Sequence, residues 1–380
     1  MNLMGKKRRS KILILIVALL VILLLFILPK HVLRYFYWNY ADLNDYKKFP
    51  KVEIRKGETT FQFLEPSKKV SLDIPAKFNP NNTWMSFDAF LSGNKTVAFL
   101  IVKNDTLIYE NYFAGYSDSS VIPSFSISKP IISALVGIAI DEGKIQSTNM
   151  PITHFLPELT NPGFEKITIE DLLNMRSGID YNEGYNNPLG HMAKFYYGTN
   201  LKEYLNKLNT KELSGRKYDY VSVNALLLSL IVEKATRMNI NKYLEQKIWQ
   251  PIGMESDASW SIDSEEHQTI KAFCCINAVT RDFARFGRLY LKKGNWQGRQ
   301  IISEEWVKRS TSIINDSRDS QGYPYTYQWR VLENGAFFAK GILGQYIFVY
   351  PEKNLVFVRM GKGYADIDWA DLCVELTKEL

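Results

Sequence analysis

Residues 123–144, PSFSISKPIISALVGIAIDEGK, decide how this chain is read. Ser126 and Lys129 stand three apart, but Ser92/Lys95 and Ser214/Lys217 share that spacing, so spacing alone says little. Context separates them. Ser92 sits in the turn-rich LSGNK before a strand, and Ser214 is followed by the pliant Gly215. Only Ser126 opens a long apolar run, and Pro130 fixes where that run becomes helical, because proline is tolerated only in a first turn. A residue there has a free backbone N–H at the positive end of the helix dipole. Lys129 projects from the same face, and an amine with its stem in apolar surroundings can take a hydroxyl proton. The residues also allow a plainer reading, in which Ser126 only caps the helix.

Outward from this stretch, residues 96–113 form two β-rich runs about Lys103-Asn104-Asp105, a hairpin signal. Thr168 is placed to cap a helix in ITIEDLLNMRSG that stops at Ser177-Gly178. Helical patterns then dominate to about residue 310. Strand patterns return in YTYQWRVL, AFFAKGILGQYIFVY and NLVFVRMG, with residues 351–354 as a turn, and DWADLCVELTKEL closes the chain as a helix. The expected fold is α+β: an antiparallel sheet flanked by helices, with a mostly helical insertion at about 145–310.

The chain has 380 residues, of which 46% are hydrophobic and 23% charged, a globular composition. Lys6, Lys7, Arg8, Arg9 and Lys11 carry most of the net charge of +7, so the remainder is nearly neutral and no nucleic-acid partner is expected. These charges precede an unbroken apolar run, residues 12–28, followed by PKHVLRYFYWNY with its aromatic belt and no cleavage pattern. The expected organisation is a cytoplasmic tip and transmembrane anchor at 1–30, a spacer at 31–85 and the main domain at 86–380. That places the domain outside the cytoplasm of a bacterial envelope, on a single-pass anchor.

Cys274, Cys275 and Cys373 make no disulfide framework and are expected as small buried side chains. The four histidines are scattered, without helical ligand spacing, so no metal is expected.

SFSISK before LVGIAIDEGKI, then FLPEL, ITIEDLLNMRSGID, YDYVSVNALLLSLI and PIGME, resemble in order the β-lactamase-related serine hydrolases. That superfamily holds class C β-lactamases, penicillin-binding peptidases, esterases and 6-aminohexanoate-dimer hydrolases. DASWSIDSE, AFCCINAVTRDFARFGRLYL and FFAKGILGQYIFVYPEKNLVFVRMG are similar to the last branch. The resemblance implies Ser126 as nucleophile, Lys129 as its proton acceptor and Tyr220 as a proton relay, with Tyr218 a confusable neighbour. Ser222 stands where the Tyr-x-Asn pattern of relatives has asparagine, so a polar substrate contact is kept but the amide is lost. The resemblance also implies Gly341 beside the substrate backbone, the N–H groups of Ser126 and Ile342 as an oxyanion hole, and Gln345 at the pocket rim. Ala339 replaces the lysine or histidine that opens the third motif, which counts against a penicillinase or carboxypeptidase, and Lys340 is expected to face away unless the strand twists. The implied activity is hydrolysis of a small amide or ester through an acyl-enzyme, without cofactor. The alternatives are a cell-wall D-Ala-D-Ala peptidase or β-lactamase, and a non-catalytic binding module.

Overall fold

The computed structural model describes residues 11–16, 19, 27–67, 70–314 and 316–380. Its strands are β1 (Lys51–Ile54), β2 (Thr96–Lys103), β3 (Thr106–Tyr112), β4 (Ile122–Pro123), β5 (Ala258–Ser261), β6 (Ile276–Ala278), β7 (Asn295–Trp296), β8 (Arg299–Gln300), β9 (Tyr325–Thr326), β10 (Trp329–Val331), β11 (Phe337–Gly341), β12 (Gln345–Tyr350) and β13 (Leu355–Gly361). Its α-helices are α1 (Lys30–Trp38), α2 (Phe87–Gly93), α3 (Ser128–Asp141), α4 (Ile169–Leu173), α5 (His191–Tyr197), α6 (Leu201–Leu205), α7 (Val223–Thr236), α8 (Ile240–Leu244), α9 (Thr280–Leu291), α10 (Glu304–Ser310) and α11 (Trp369–Leu376).

An antiparallel sheet in the order β3-β2-β13-β12-β11-β10-β9 forms the middle layer. Its central strands β2, β13 and β12 are buried at nearly every position because both faces are covered. Ala98, Leu100 and Val102 belong to the core shared with α3, α7 and α9, while Phe99 and Ile101 belong to the one shared with α2 and α11. The β2–β3 hairpin turns at Asn104 and Asp105, whose φ values of 51° and 62° are those of a type I′ turn. Helix α9 lies close on the sheet at Gly287, where a Cβ would come 2.6 Å from Val356 Cγ1.

A second antiparallel sheet, β1-β5-β6-β4, departs from the expectation of a mostly helical 145–310, since β5 and β6 lie there. Its strands are two to four residues long, too short to leave a period in the sequence. Thr168 caps α4 in a capping box with Asp171, yet the helix ends at Leu173, before Ser177-Gly178, as the chain reverses at Met175 (φ 55°).

The start of the segment read as a spacer packs onto the domain. Helix α1 lies on α5, with Arg34 Nη1 donating to Tyr197 O at 3.2 Å. β1 pairs with β5, and Leu43, Phe49, Ile54 and Phe63 enter the main core. Among the described residues no helix is long and apolar enough to cross a membrane. Much of the apolar run, residues 17, 18 and 20–26, lies outside the described residues.

Cys274 and Cys275, expected as separate thiols, are joined to each other by a disulfide. The chain turns back at Cys275 (φ 71°), which brings the adjacent side chains together. Cys373 is free and buried.

Candidate active site

The short strand β4 delivers Ser126. Ser124 N donates to Ile276 O at 2.7 Å, and Ile276 N donates back to Ser124 Oγ at 3.0 Å, so β6 pins the approach. Phe125 then takes φ 45°, a left-handed conformation that a bulky residue keeps only when its surroundings enforce it. One 3₁₀ turn, Phe125–Ile127, leads into α3. No side chain caps either helix start, so Ser126 is not serving as a cap. Its hydroxyl instead accepts from Lys129 Nζ at 2.9 Å.

Lys129 is 1% exposed and has a second acceptor, Phe273 O, at 2.8 Å. Its Nζ also lies 5.1 Å from the centroid of the Tyr220 ring. Ser126, Tyr220, Gly341, Ile342, Arg330 and Lys340 share one open cleft of about 550 Å³. A larger groove of about 690 Å³, over α2 and β3, shares no residue with it and holds none of the expected catalytic side chains.

Gly341 is required by closeness. A Cβ there would lie 2.9 Å from Ser124 O and 3.2 Å from Ser126 N, so only glycine lets β11 run against the serine turn. The chain after Ile342 reverses through Leu343 (φ 62°) and Gly344 (φ 81°). Buried Arg359 holds that reversal, with Nη1 donating to Gly344 O at 2.6 Å and its guanidinium 3.5 Å over the Trp369 ring. Burial lowers its pKa to about 9.

Gln345 does not line the cleft. It is fully buried, and its amide is bonded at both ends to Gly361, at 3.1 Å and 2.7 Å. Ser222 is also buried, with its N–H 3.0 Å from Glu183 Oε2 and its hydroxyl donating to the same carboxylate. Loss of solvent raises the Glu183 carboxyl above its ordinary value, against the pull of Lys129 and of Ser222. Tyr196 borders a small apolar recess beside Ser126, whereas Trp329 lies in the core between Tyr290 and Phe337.

Sequence reading missed Glu183, Arg330 and the backbone of Phe273, none of which carries a motif. Lys340, expected to face away, lines the cleft. Burial and the neighbouring Arg330 charge lower its ammonium from the ordinary value, and Arg330 itself is paired with Asp319.

A lysine-bound serine opposite a strand-end glycine is an arrangement that suits acyl transfer. The beta-lactamase family profile matches residues 87–366. The chain belongs to the beta-lactamase family. That membership makes it a serine hydrolase. The 6-aminohexanoate-dimer hydrolase of Paenarthrobacter ureafaciens, an amidase, is 28% identical over 288 residues, 70% of this chain and 72% of the relative. A Bacillus anthracis structure provisionally assigned as a 6-aminohexanoate-dimer hydrolase shares the fold at TM-score 0.77 and 23% identity, covering 91% of this chain and 93% of that one. A class C beta-lactamase shares it at TM-score 0.60 and 13% identity, covering 82% and 99%.

Proposed function

We propose that this family member cleaves a linear amide or ester outside the cytoplasm, through an acyl-enzyme on Ser126. The observation that carries the reading is the 2.9 Å contact from Lys129 to Ser126 on the floor of an open cleft. Ser126 Oγ attacks the carbonyl carbon as Lys129 takes its proton, and the N–H groups of Ser126 and Ile342 receive the oxyanion. Tyr220 passes a proton to the leaving group, and water then releases the acyl chain. No cofactor takes part.

The cleft carries Arg318, Arg330 and Lys340 beside Glu183, Asp219 and Asp319. Arg330 is paired with Asp319, whereas Lys340 has no ion pair among the described residues and is the cation placed to meet a substrate carboxylate. This suits a molecule of the 6-aminohexanoate-dimer kind, an amide with an acid end. The same cation favours a second reading, a cell-wall peptidase or β-lactamase, which predicts covalent labelling by a fluorescent penicillin. Residues 12–28 are the proposed anchor, and a disulfide in the domain agrees with an oxidising compartment.

The test is the intact mass of the full chain before and after a fluorophosphonate probe. A single adduct, absent from a folded Ser126→Ala variant, supports the reading. A folded wild-type protein that takes no adduct overturns it in favour of a binding module.

A further inference from the structure

The loop from Lys271 to Cys275 is held with unusual completeness. Both of its ends are tied to one residue of β5, with Lys271 N donating to Ser261 O at 2.9 Å and Ser261 N donating to Cys275 O at 3.1 Å. Between them every carbonyl is taken. Ala272 O accepts from Ser128 Oγ at 3.0 Å, Phe273 O from Lys129 Nζ at 2.8 Å, and Cys274 O from Trp260 Nε1 at 2.8 Å. Two of these donors are the first residues of α3, and one is the amine that meets Ser126. The loop is therefore the wall against which the Ser-x-x-Lys turn is set.

Within this short loop the side chains of Cys274 and Cys275 are covalently joined. A bond between neighbours closes no long loop, so it adds little by restricting the unfolded chain. What it restricts is the local backbone, at the residues that follow Phe273 O. Cys274 also borders the small recess it shares with Ser126, Met192 and Ile342, but both cysteines are buried, so a reductant reaches the sulfur only as the loop loosens.

We propose that the Cys274–Cys275 disulfide is a redox-modifiable positioning site for the base: closed, it fixes Phe273 O against Lys129, and opening it by a small dithiol slackens that grip. The exchange balances. One thiolate of the reductant attacks Cys274 Sγ and expels Cys275 as thiolate, and the second thiol of the reductant then displaces Cys274. The protein gains two electrons and two protons, and the reductant leaves as its own disulfide. The kinetic consequence rests on the hydrolase reading, but the structural consequence does not.

The experiment takes the full chain in detergent, isolated in air, with and without dithiothreitol. Alkylation and intact mass count the thiols, and hydrogen exchange follows peptides covering 124–130 and 271–276. The expected result is two new alkylated thiols, faster exchange in both segments, and a fluorophosphonate rate lower by about a hundredfold, the scale of a small misplacement at a reacting centre. Reoxidation restores the rate, and on a reporter ester kcat falls more than KM rises. The Cys274→Ser/Cys275→Ser double variant matches the reduced protein and ignores the reductant. The proposal is overturned by free Cys274 and Cys275 thiols in the air-isolated protein, by reduction that leaves exchange at 124–130 unchanged, or by a double variant that labels at the wild-type rate. Faster exchange at 124–130 in a protein that never labels leaves the positioning intact and removes the hydrolase reading instead.

Discussion

Lys129 Nζ lies 2.9 Å from Ser126 Oγ, while the lysine side chain itself is sealed from solvent. Lys129→Met removes the proton acceptor and keeps the apolar stem. Its kcat on a reporter ester should fall by about a thousandfold, within the usual range for a general base. Lys129→Arg should not restore it, because a guanidinium stays charged and cannot accept the proton. Circular dichroism of both variants separates lost chemistry from lost fold.

Gly341→Ala places a methyl group 3.2 Å from Ser126 N and 2.9 Å from Ser124 O. The expected result is a drop in kcat of about tenfold or more, as one oxyanion donor is pushed from its position. Steady-state kinetics with a neutral ester check this, and an unchanged kcat would remove Gly341 from the site.

Tyr220 and Tyr218 should behave differently. The Tyr220 ring lies over Lys129 in the cleft, and Tyr220→Phe should cut amide hydrolysis by about a hundredfold, more than ester hydrolysis, where the leaving group needs less help. The Tyr218 hydroxyl is buried with no partner among the described residues, so Tyr218→Phe should leave stability equal or raised. Matched amide and ester kinetics, with thermal melts, decide both.

Lys340→Gln tests the charged wall. For a pair of substrates differing only as carboxylate and carboxamide, the ratio of kcat/KM should move against the acid by about tenfold, the strength of a hydrogen bond to a charged group. A ratio equal to that of the wild type would assign Lys340 no part in recognition.

Burial lowers the Lys271 amine to about 7, and its Nζ donates to Tyr196 O at 2.6 Å. From about pH 7 to the ordinary lysine range, the unfolded chain binds the proton that the folded chain has released. Stability from this group therefore rises with pH across that window and is flat below it. The stability of wild type relative to Lys271→Met should grow by roughly 2 kcal/mol between about pH 7 and 9. Urea melts at several pH values measure it, and a constant difference would contradict the shift.

Much of this molecule could be read from local chemistry. The β2–β3 turn, the Thr168 cap and helix α3 each depend on residues close together, and each stands where expected. Ser126, Lys129, Tyr220, Gly341 and Ile342 occur in recognisable strings, and the fold gathers all but Lys129 on one cleft, with Lys129 buried against Ser126. What escaped depends on distant partners. β4 has two residues, and its pairing with β6 spans most of the middle of the chain. Phe273 serves through its carbonyl, which any residue carries. Resemblance alone places Gln345 at the rim, yet its amide is bonded at both ends to Gly361. Glu183 matters through Ser222, a contact no spacing announces.

Helix α1 comes soon after the apolar run, and from it Tyr35 donates to Tyr185 O at 3.1 Å, on the rim of the cleft. This hydrogen bond ties α1 to the mouth of the site. A chain cut at residue 40 would lose more than a leash, since it would strip the strut that orients the rim. A displacement of α1 would therefore be felt at Tyr185, on the rim of the cleft.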